Sequence, residues 1–442
     1  MDKHIAVEPS GLHFRNMGDV AMTQVAIARL SELWPHAQVE VVTSSPHLLS
    51  RYSPSAVPLG AEERGAWLSG RSLTGGLGRE LPASISVSMQ NLERRLWFRH
   101  PAVAELGLHL KAKLRHRAFV SPSSFRERVT GASLLVASGA GVLNDAFEDQ
   151  ASPLLDELDF ALQAGIPVVA FGQGVGPITD PKLLSRAQEV LPRLSLIGLR
   201  EGRTGLPLLE SLGVARDRIF VTGDDAIELA LDRRPSSLGD AIGINVRLAN
   251  YAGTDEQLIG RLREPLHCAA QKLKSSLLSV PISLHHTDSD IVSNGSVLDD
   301  KSPGSQTGIE SPEDVIRLVG KCRVVVTGSY HGGVFALAQG IPIVGLMQSP
   351  YYEQKFRGLQ QQFPGGCRTL DFRQPVTSVE IQDAICGAWE SAEQVREALI
   401  EAATHQVELS RAAYRLVREM YPLGSRACFK DGLRASVLVP QE

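Results

Sequence analysis

At 442 residues the chain is too long for one compact core, so two domains are expected. Hydrophobic residues make up 43% and charged residues 21%, as in an ordinary globular protein, and a net charge of −4 provides no global basic field for nucleic acid. Cys268, Cys322, Cys367, Cys386 and Cys428 form no CxxC pair, which argues against a zinc site or a disulfide framework and suits a reducing cytoplasm; Met1-Asp2-Lys3-His4 leads into no long apolar h-region, and no run approaches the roughly 18–20 apolar residues of a membrane span.

In chain order, His4–Glu8 reads as a short strand, Asn16-x-Gly18-Asp19 as a turn, 20–33 as a helix and 39–43 as a second strand. This unit opens a parallel α/β layer. Asn16 and Asp19 can bind polar groups, and Gly18 lets the backbone approach a ligand; the same residues also make an Asx turn with a helix N-cap. Residues 60–130 interrupt the rhythm with a Gly/Ser-rich piece and then a long, basic, helical one. That basic piece carries Arg94, Arg95, Arg99, Lys111, Lys113, Arg115 and Arg117 against Glu105 as its only acid, with Trp97, Phe98, Leu106, Leu108, Leu110 and Leu114 interleaved. It reads as a solvated helix face, or more sharply as a peripheral contact with anionic lipid or a lipid diphosphate acceptor.

The strand rhythm resumes at 133–137, followed by Ser138-Gly139-Ala140-Gly141-Val142-Leu143-Asn144-Asp145. Asn144 replaces the third glycine of a dinucleotide fingerprint, and no acidic residue follows at the usual distance, so NAD binding is rejected. Asn144 and Asp145 suit a sugar hydroxyl or a catalytic carboxylate better. The next strand ends in Gly172-Gln173-Gly174-Val175-Gly176-Pro177, either a backbone nest for an anion or a tight turn closed by proline. Arg200 directly follows a further strand; it can clamp a carboxylate or phosphate, or pair with Glu201 or Glu210. Thr222-Gly223-Asp224 closes the series. Glycine-rich strand ends in one half converge on one crevice.

The polar stretch 232–240 reads as an interdomain linker. A second α/β series starts at 241–247, with Arg247 on the cleft side of its strand, and continues through a strand at 277–284. His285-His286-Thr287-Asp288 follows, with too few placed ligands for a zinc site. Residues 287–312 are polar and are expected to form a mobile loop. Residues 325–345 read as strand, tight turn, helix, turn, strand, with Ser329-Tyr330-His331-Gly332 in the first turn. A glycine-ended strand that opens a helix aims N–H groups and the positive end of the helix dipole into that turn, and His331 can titrate near neutral pH there. The tail from 378 to 421 is strongly helical. The expected organisation is an N-terminal domain over 1–235 with the insertion 60–130, a C-terminal domain over 236–405 and a helical tail over 406–442. The fold class is α/β, with two Rossmann-like doubly wound domains facing a cleft.

Taken in order, these pieces resemble the polysaccharide pyruvyl transferase family. The matching run is Asn16-x-Gly18-Asp19, Gly139-x-Gly141-x-Leu143-Asn144-Asp145, Gly172 to Pro177, Arg200-Glu201, Thr222-Gly223-Asp224, Thr327 to Gly332 and Ala336 to Pro342. The resemblance implies a GT-B-like fold, phosphoenolpyruvate as co-substrate with no other cofactor and no metal, and a sugar or lipid-linked glycan as acceptor. The product would be a pyruvate ketal in surface polysaccharide, made in the cytoplasm or at the inner membrane face, with phosphate released. Ser329-Tyr330-His331 stands where the family carries Arg-Leu-His, so the charge that holds the donor would come from Arg200, Arg247 or Lys355.

The roles expected on this reading follow. His331 is the general acid, and Asp145 or Asp19 binds the acceptor hydroxyl and acts as base. Arg200, Arg247, Ser329, Tyr330, Gly332, Lys355 and Gly174 bind the donor. Asn16, Gly18, Asn144, Gln173 and His286 bind the acceptor. A rival is a GT-B glycosyltransferase or nucleotide-sugar epimerase, for which Glu310 or Glu313 would grip ribose. A third reading is a non-catalytic sugar-phosphate-binding protein.

Overall fold

A computed structural model describes residues 3–69, 89, 92–93, 96–114, 116, 118–247, 256–285, 289–298 and 308–423. Short apolar runs such as Leu-Leu-Val-Ala and Ile-Val-Gly-Leu-Met form parallel strands that are buried along their whole length, as a sheet covered on both faces requires. Seven strands make the first sheet: β1 (His4–Glu8), β2 (Gln38–Thr43), β3 (Val57–Gly60), β4 (Leu134–Ala137), β5 (Val168–Gln173), β6 (Leu196–Leu199) and β7 (Ile219–Val221). Their order is β3-β2-β1-β4-β5-β6-β7. The second sheet holds β8 (Ala241–Asn245), β9 (Ser276–Ser279), β10 (Cys322–Thr327), β11 (Ile343–Met347) and β12 (Cys367–Asp371) in the order β12-β11-β10-β8-β9.

Strand order reverses between β1 and β4 in one sheet and between β8 and β10 in the other. Crevices at such reversals lie outside the carboxyl ends of the strands, and ligands bind there. The edge strands β3 and β12 have no counterpart in the sequence reading. Each is short and only partly buried, and β3 carries Pro58, so neither shows a strand-like apolar run.

The strand expected over 277–284 ends instead at Ser279. Residues beyond it turn to the other half: Leu284 N donates to Arg15 O at 2.8 Å, and Met17 N donates to Ile282 O at 2.9 Å. Asn16 and Ser283 thereby form an antiparallel bridge between the halves. The expected mobile loop 287–312 contains the helix Asp290–Leu298. Buried Asp290 anchors it by accepting from the Ile282 and Ser283 amides and from Asn245 Nδ2.

One helix, Ser378–Met420, runs without interruption past residue 405, so residues 406–420 belong to it rather than to a separate tail. A capping box of Thr377 and Glu380 starts it. Its first turns pack Ile381, Ile385 and Ala388 onto the second sheet. Its last turns return to the first half, where Tyr414 stacks on Phe171 at 3.7 Å between centroids and donates to Asp225 at 2.8 Å. Arg29 and Ser410 meet the same Asp225 carboxylate at 2.8 and 2.6 Å.

Candidate active site

The two sheets enclose a cleft of about 480 Å³ at their carboxyl ends. From the first half come the loop after β1, Asp19, Gly141 and Arg200; from the second come Arg247, Ser329, Tyr330, His331, Tyr351 and Lys355.

Arg200 emerges from β6 with 2% of its surface exposed. A methyl group on Gly141 would sit 2.2 Å from its Nη2, and one on Gly174 would sit 2.6 Å from the same atom. Two glycine turns therefore form the slot that admits the guanidinium. The Tyr330 ring lies 4.3 Å from its Cζ, a cation–π distance. Asp224 Oδ2 lies 3.6 Å from Nη1. Burial works against the charge, but Tyr330 and Asp224 raise the Arg200 pKa further.

His331 sits in the first turn of the helix Tyr330–Ala338, which follows β10. Its ring packs against Gly18 so closely that a methyl group there would lie 2.0 Å from Cγ. Its Nε2 is 3.6 Å from Asp224 Oδ2, the same oxygen that faces Arg200. Both Asp224 Oδ2 and His331 Nε2 are buried without a hydrogen-bond partner among the described residues. Burial disfavours the Asp224 carboxylate, yet the adjacent His331 and Arg200 and the Ala226 amide hold its pKa below the usual carboxylate value.

Lys355, on the helix Pro350–Gln362, reaches into an aromatic cage. Its Nζ stands 3.9 Å from the Tyr351 centroid, 5.5 Å from Tyr330 and 5.8 Å from Tyr352, and it donates to Tyr351 Oη. Tyr351 Oη in turn donates to Gly141 O at 3.3 Å, which ties the cage to the opposite half. Burial pulls the Lys355 ammonium well below the ordinary lysine range; Arg200 and Arg247 add to this, while Asp19 and Asp224 oppose it. The cleft thus gathers four basic side chains, Arg15, Arg200, Arg247 and Lys355, one carboxylate at its wall and a histidine backed by a second carboxylate. Such a site suits a polyanionic small molecule and proton transfer.

The sequence profile described as "Polysaccharide pyruvyl transferase" matches residues 16–350. The chain belongs to the polysaccharide pyruvyl transferase family. Its enzymes are transferases, and the cleft of this family member lies between two Rossmann-like halves in the GT-B manner. A structure described as the glycotransferase of kitacinnamycin aligns over 95% of this chain and 99% of its own, with TM-score 0.52 and 14% identity. A putative UDP-N-acetylglucosamine 2-epimerase from Listeria monocytogenes aligns over 96% and 98%, with TM-score 0.53 and 9% identity. A UDP-GlcNAc 2-epimerase from Neisseria meningitidis, bound to UDP-GlcNAc, aligns over 94% and 98%, with TM-score 0.51 and 11% identity. At these identities the likeness is one of fold. No curated protein matches the chain significantly in sequence.

In this pyruvyl transferase family member, Asn16, Asp19, Arg200, Arg247, Ser329, Tyr330, His331 and Lys355 all line the one cleft. Asn16 also caps the helix Met17–Leu33, accepting from Gly18 N at 3.0 Å and Asp19 N at 3.4 Å. Gly18, Gly174 and Gly332 each allow a close approach: a methyl on Gly332 would lie 2.5 Å from Thr327 Oγ1. Three expected ligand-binding residues make hydrogen bonds within the turns. Asn144 is buried, accepts from Ala146 N and donates to Gly141 O. Gln173 Nε2 donates to Ser138 O and Phe171 O, both at 2.9 Å. Asp145 accepts from Thr179 N and Oγ1 and from Asp180 N, away from the cleft lining. Burial slightly disfavours its carboxylate, but those three donors hold its pKa down. His286 lies outside the described residues.

Glu310 pairs with Arg51, and Glu313 with Arg233 at 3.5 Å; neither lines the cleft. Asp224, Tyr351, Tyr352, His13 and His285 received no role from the sequence. Asp224 had a signal, its place in Thr222-Gly223-Asp224 after β7. His285 stood in the His285-His286-Thr287-Asp288 cluster, weighed only for metal; the others had no signal, because their cleft positions depend on how the halves meet.

Proposed function

We propose that the protein transfers the enolpyruvyl group of phosphoenolpyruvate to two hydroxyls of a sugar acceptor, forming a pyruvate ketal and releasing phosphate. The observation that carries this reading is the placing of Arg200, Arg247 and Lys355 around the Asp224-backed His331 in one cleft, in a chain of this family. Arg200 and Arg247 clamp the donor's carboxylate and phosphate, and Lys355, in its protonated form, adds positive charge where the family arginine is replaced by Ser329. The N-terminus of the helix Tyr330–Ala338 adds its dipole.

His331 gives a proton to the methylene carbon of the enol phosphate, which becomes the methyl group. The first acceptor hydroxyl attacks the resulting cationic carbon as Asp19 takes its proton. The second hydroxyl replaces phosphate at the same carbon and its proton leaves with the phosphate; the proton held by Asp19 returns to His331 through solvent. A well-placed acid or base of this kind contributes on the order of 10²–10⁴ in rate. Asp145 has no part in the scheme because its oxygens are occupied.

Phosphate release from phosphoenolpyruvate across a panel of sugar acceptors tests this. Acceptor-dependent phosphate with a ketal product is expected. Release of a nucleotide from nucleotide sugars, with none of phosphate from phosphoenolpyruvate, would overturn it in favour of a glycosyltransferase.

A further inference from the structure

The helix Pro101–Leu114 is apolar on two sides. Its inner side buries Ala104 and Leu108 in the core that also holds Trp97 and Trp67. Its outer side leaves Val103, Leu106, Leu110 and Leu114 at 69%, 59%, 51% and 83% exposure. At 100° per residue these four fall within an arc of about 80°. Lys111 and Lys113 flank that arc on opposite sides. Glu105 points away from it, and its carboxylate is engaged by Ser121 Oγ and, at 3.7 Å, by Arg126. Leu96 and Arg99, in the turns just before, are exposed as well.

We propose that this face docks on an anionic lipid bilayer, with the helix lying in the plane of the interface. Two features favour a membrane as the occupant. The stripe is long and narrow, with exposed Lys113 on its border and exposed Arg99 in the turns before it, which is how an interfacial helix inserts its apolar face while cations snorkel to phosphates. The acid of this helix, Glu105, is turned inward and held by Ser121 and Arg126, so it does not oppose an anionic surface. Docking would hold the cleft next to a lipid-linked substrate, but the binding itself does not depend on the donor proposed above.

Full-length protein is sedimented with phosphatidylcholine vesicles that contain or lack phosphatidylglycerol. Binding only to the anionic vesicles, weakened by salt, is expected. Leu106→Asp with Leu110→Asp should reduce partitioning on the order of tenfold or more. Lys113→Gln should reduce it roughly fivefold. Because these positions are exposed, each variant should keep the wild-type melting temperature and phosphate-release activity on a soluble acceptor. The proposal is overturned if wild type stays in the supernatant, if the leucine variant binds as well as wild type, or if light scattering shows a wild-type dimer that the leucine variant splits.

Discussion

Asp224, after the last strand of one sheet, and His331, at the first helix turn after a strand of the other, face each other at 3.6 Å across the junction of the two halves. Neither is complete alone: the imidazole borrows a counter-charge from a chain segment more than a hundred residues away. The same Asp224 oxygen also faces Arg200, so one carboxylate lies against both the imidazole and the guanidinium. Asp224→Asn should lower the melting temperature, because it leaves buried Arg200 without its carboxylate, and should also lower kcat and shift the pH profile of kcat. His331→Ala should lower kcat further, by on the order of 10²–10⁴. If Asp224→Asn leaves the pH profile unmoved, Asp224 does not act through His331.

Gly18 and Gly141 test the idea that the glycine motifs make room rather than bind. A methyl at Gly18 collides with the His331 ring, and one at Gly141 collides with the Arg200 guanidinium. Gly18→Ala should therefore lower kcat toward the His331→Ala value. Gly141→Ala should mainly raise KM for phosphoenolpyruvate, by roughly tenfold or more, the worth of a charge-assisted contact. Steady-state kinetics distinguish the two, and equal effects on kcat and KM in both variants would count against separate roles.

The depressed pKa of Lys355 has a pH signature. Its ammonium exists below the folded-state pKa and is lost as pH rises through it. An ordinary lysine holds its proton to about pH 10.4. Donor KM should therefore climb at a pH well below that value, and Lys355→Arg, which stays charged, should flatten the climb. A KM profile identical in the two proteins would remove Lys355 from donor binding.

Behind the cleft, Arg64 is shared by Glu8 at 2.6 Å and Glu157 at 2.6 Å. Burial raises the Glu8 pKa well above the usual value; Arg64 opposes this and Glu157 adds to it. A carboxyl raised in the folded state contributes stability that is present below its unfolded pKa of about 4.3 and lost as pH rises through the folded value. Glu8→Gln removes that loss. Its melting temperature relative to wild type should therefore rise from about pH 5 to 8. A constant difference over that range would show that Glu8 does not titrate there.

The inner strands, the glycine turns and the helix opening at Ser329 could be read from the sequence because each is a local signal. Four to six apolar residues in a row mark a covered parallel strand, and glycine after it marks a turn. The residue types of the site were equally visible: His331, Arg200, Arg247, Lys355 and Asp19 all reach the cleft. What the polar groups of the turns do was not visible. Asn144, Asp145 and Gln173 have the same chemistry whether they face a ligand or a backbone amide, and only the path of neighbouring loops such as Thr179–Asp180 decides between the two. The partnership of Asp224 with His331, the cage around Lys355 and the slot for Arg200 are contacts between segments far apart in the chain. Local propensity carries no information about such pairs; they exist because two sheets, joined at Asn16 and Ser283 and strapped by one long helix, close on each other at a single angle.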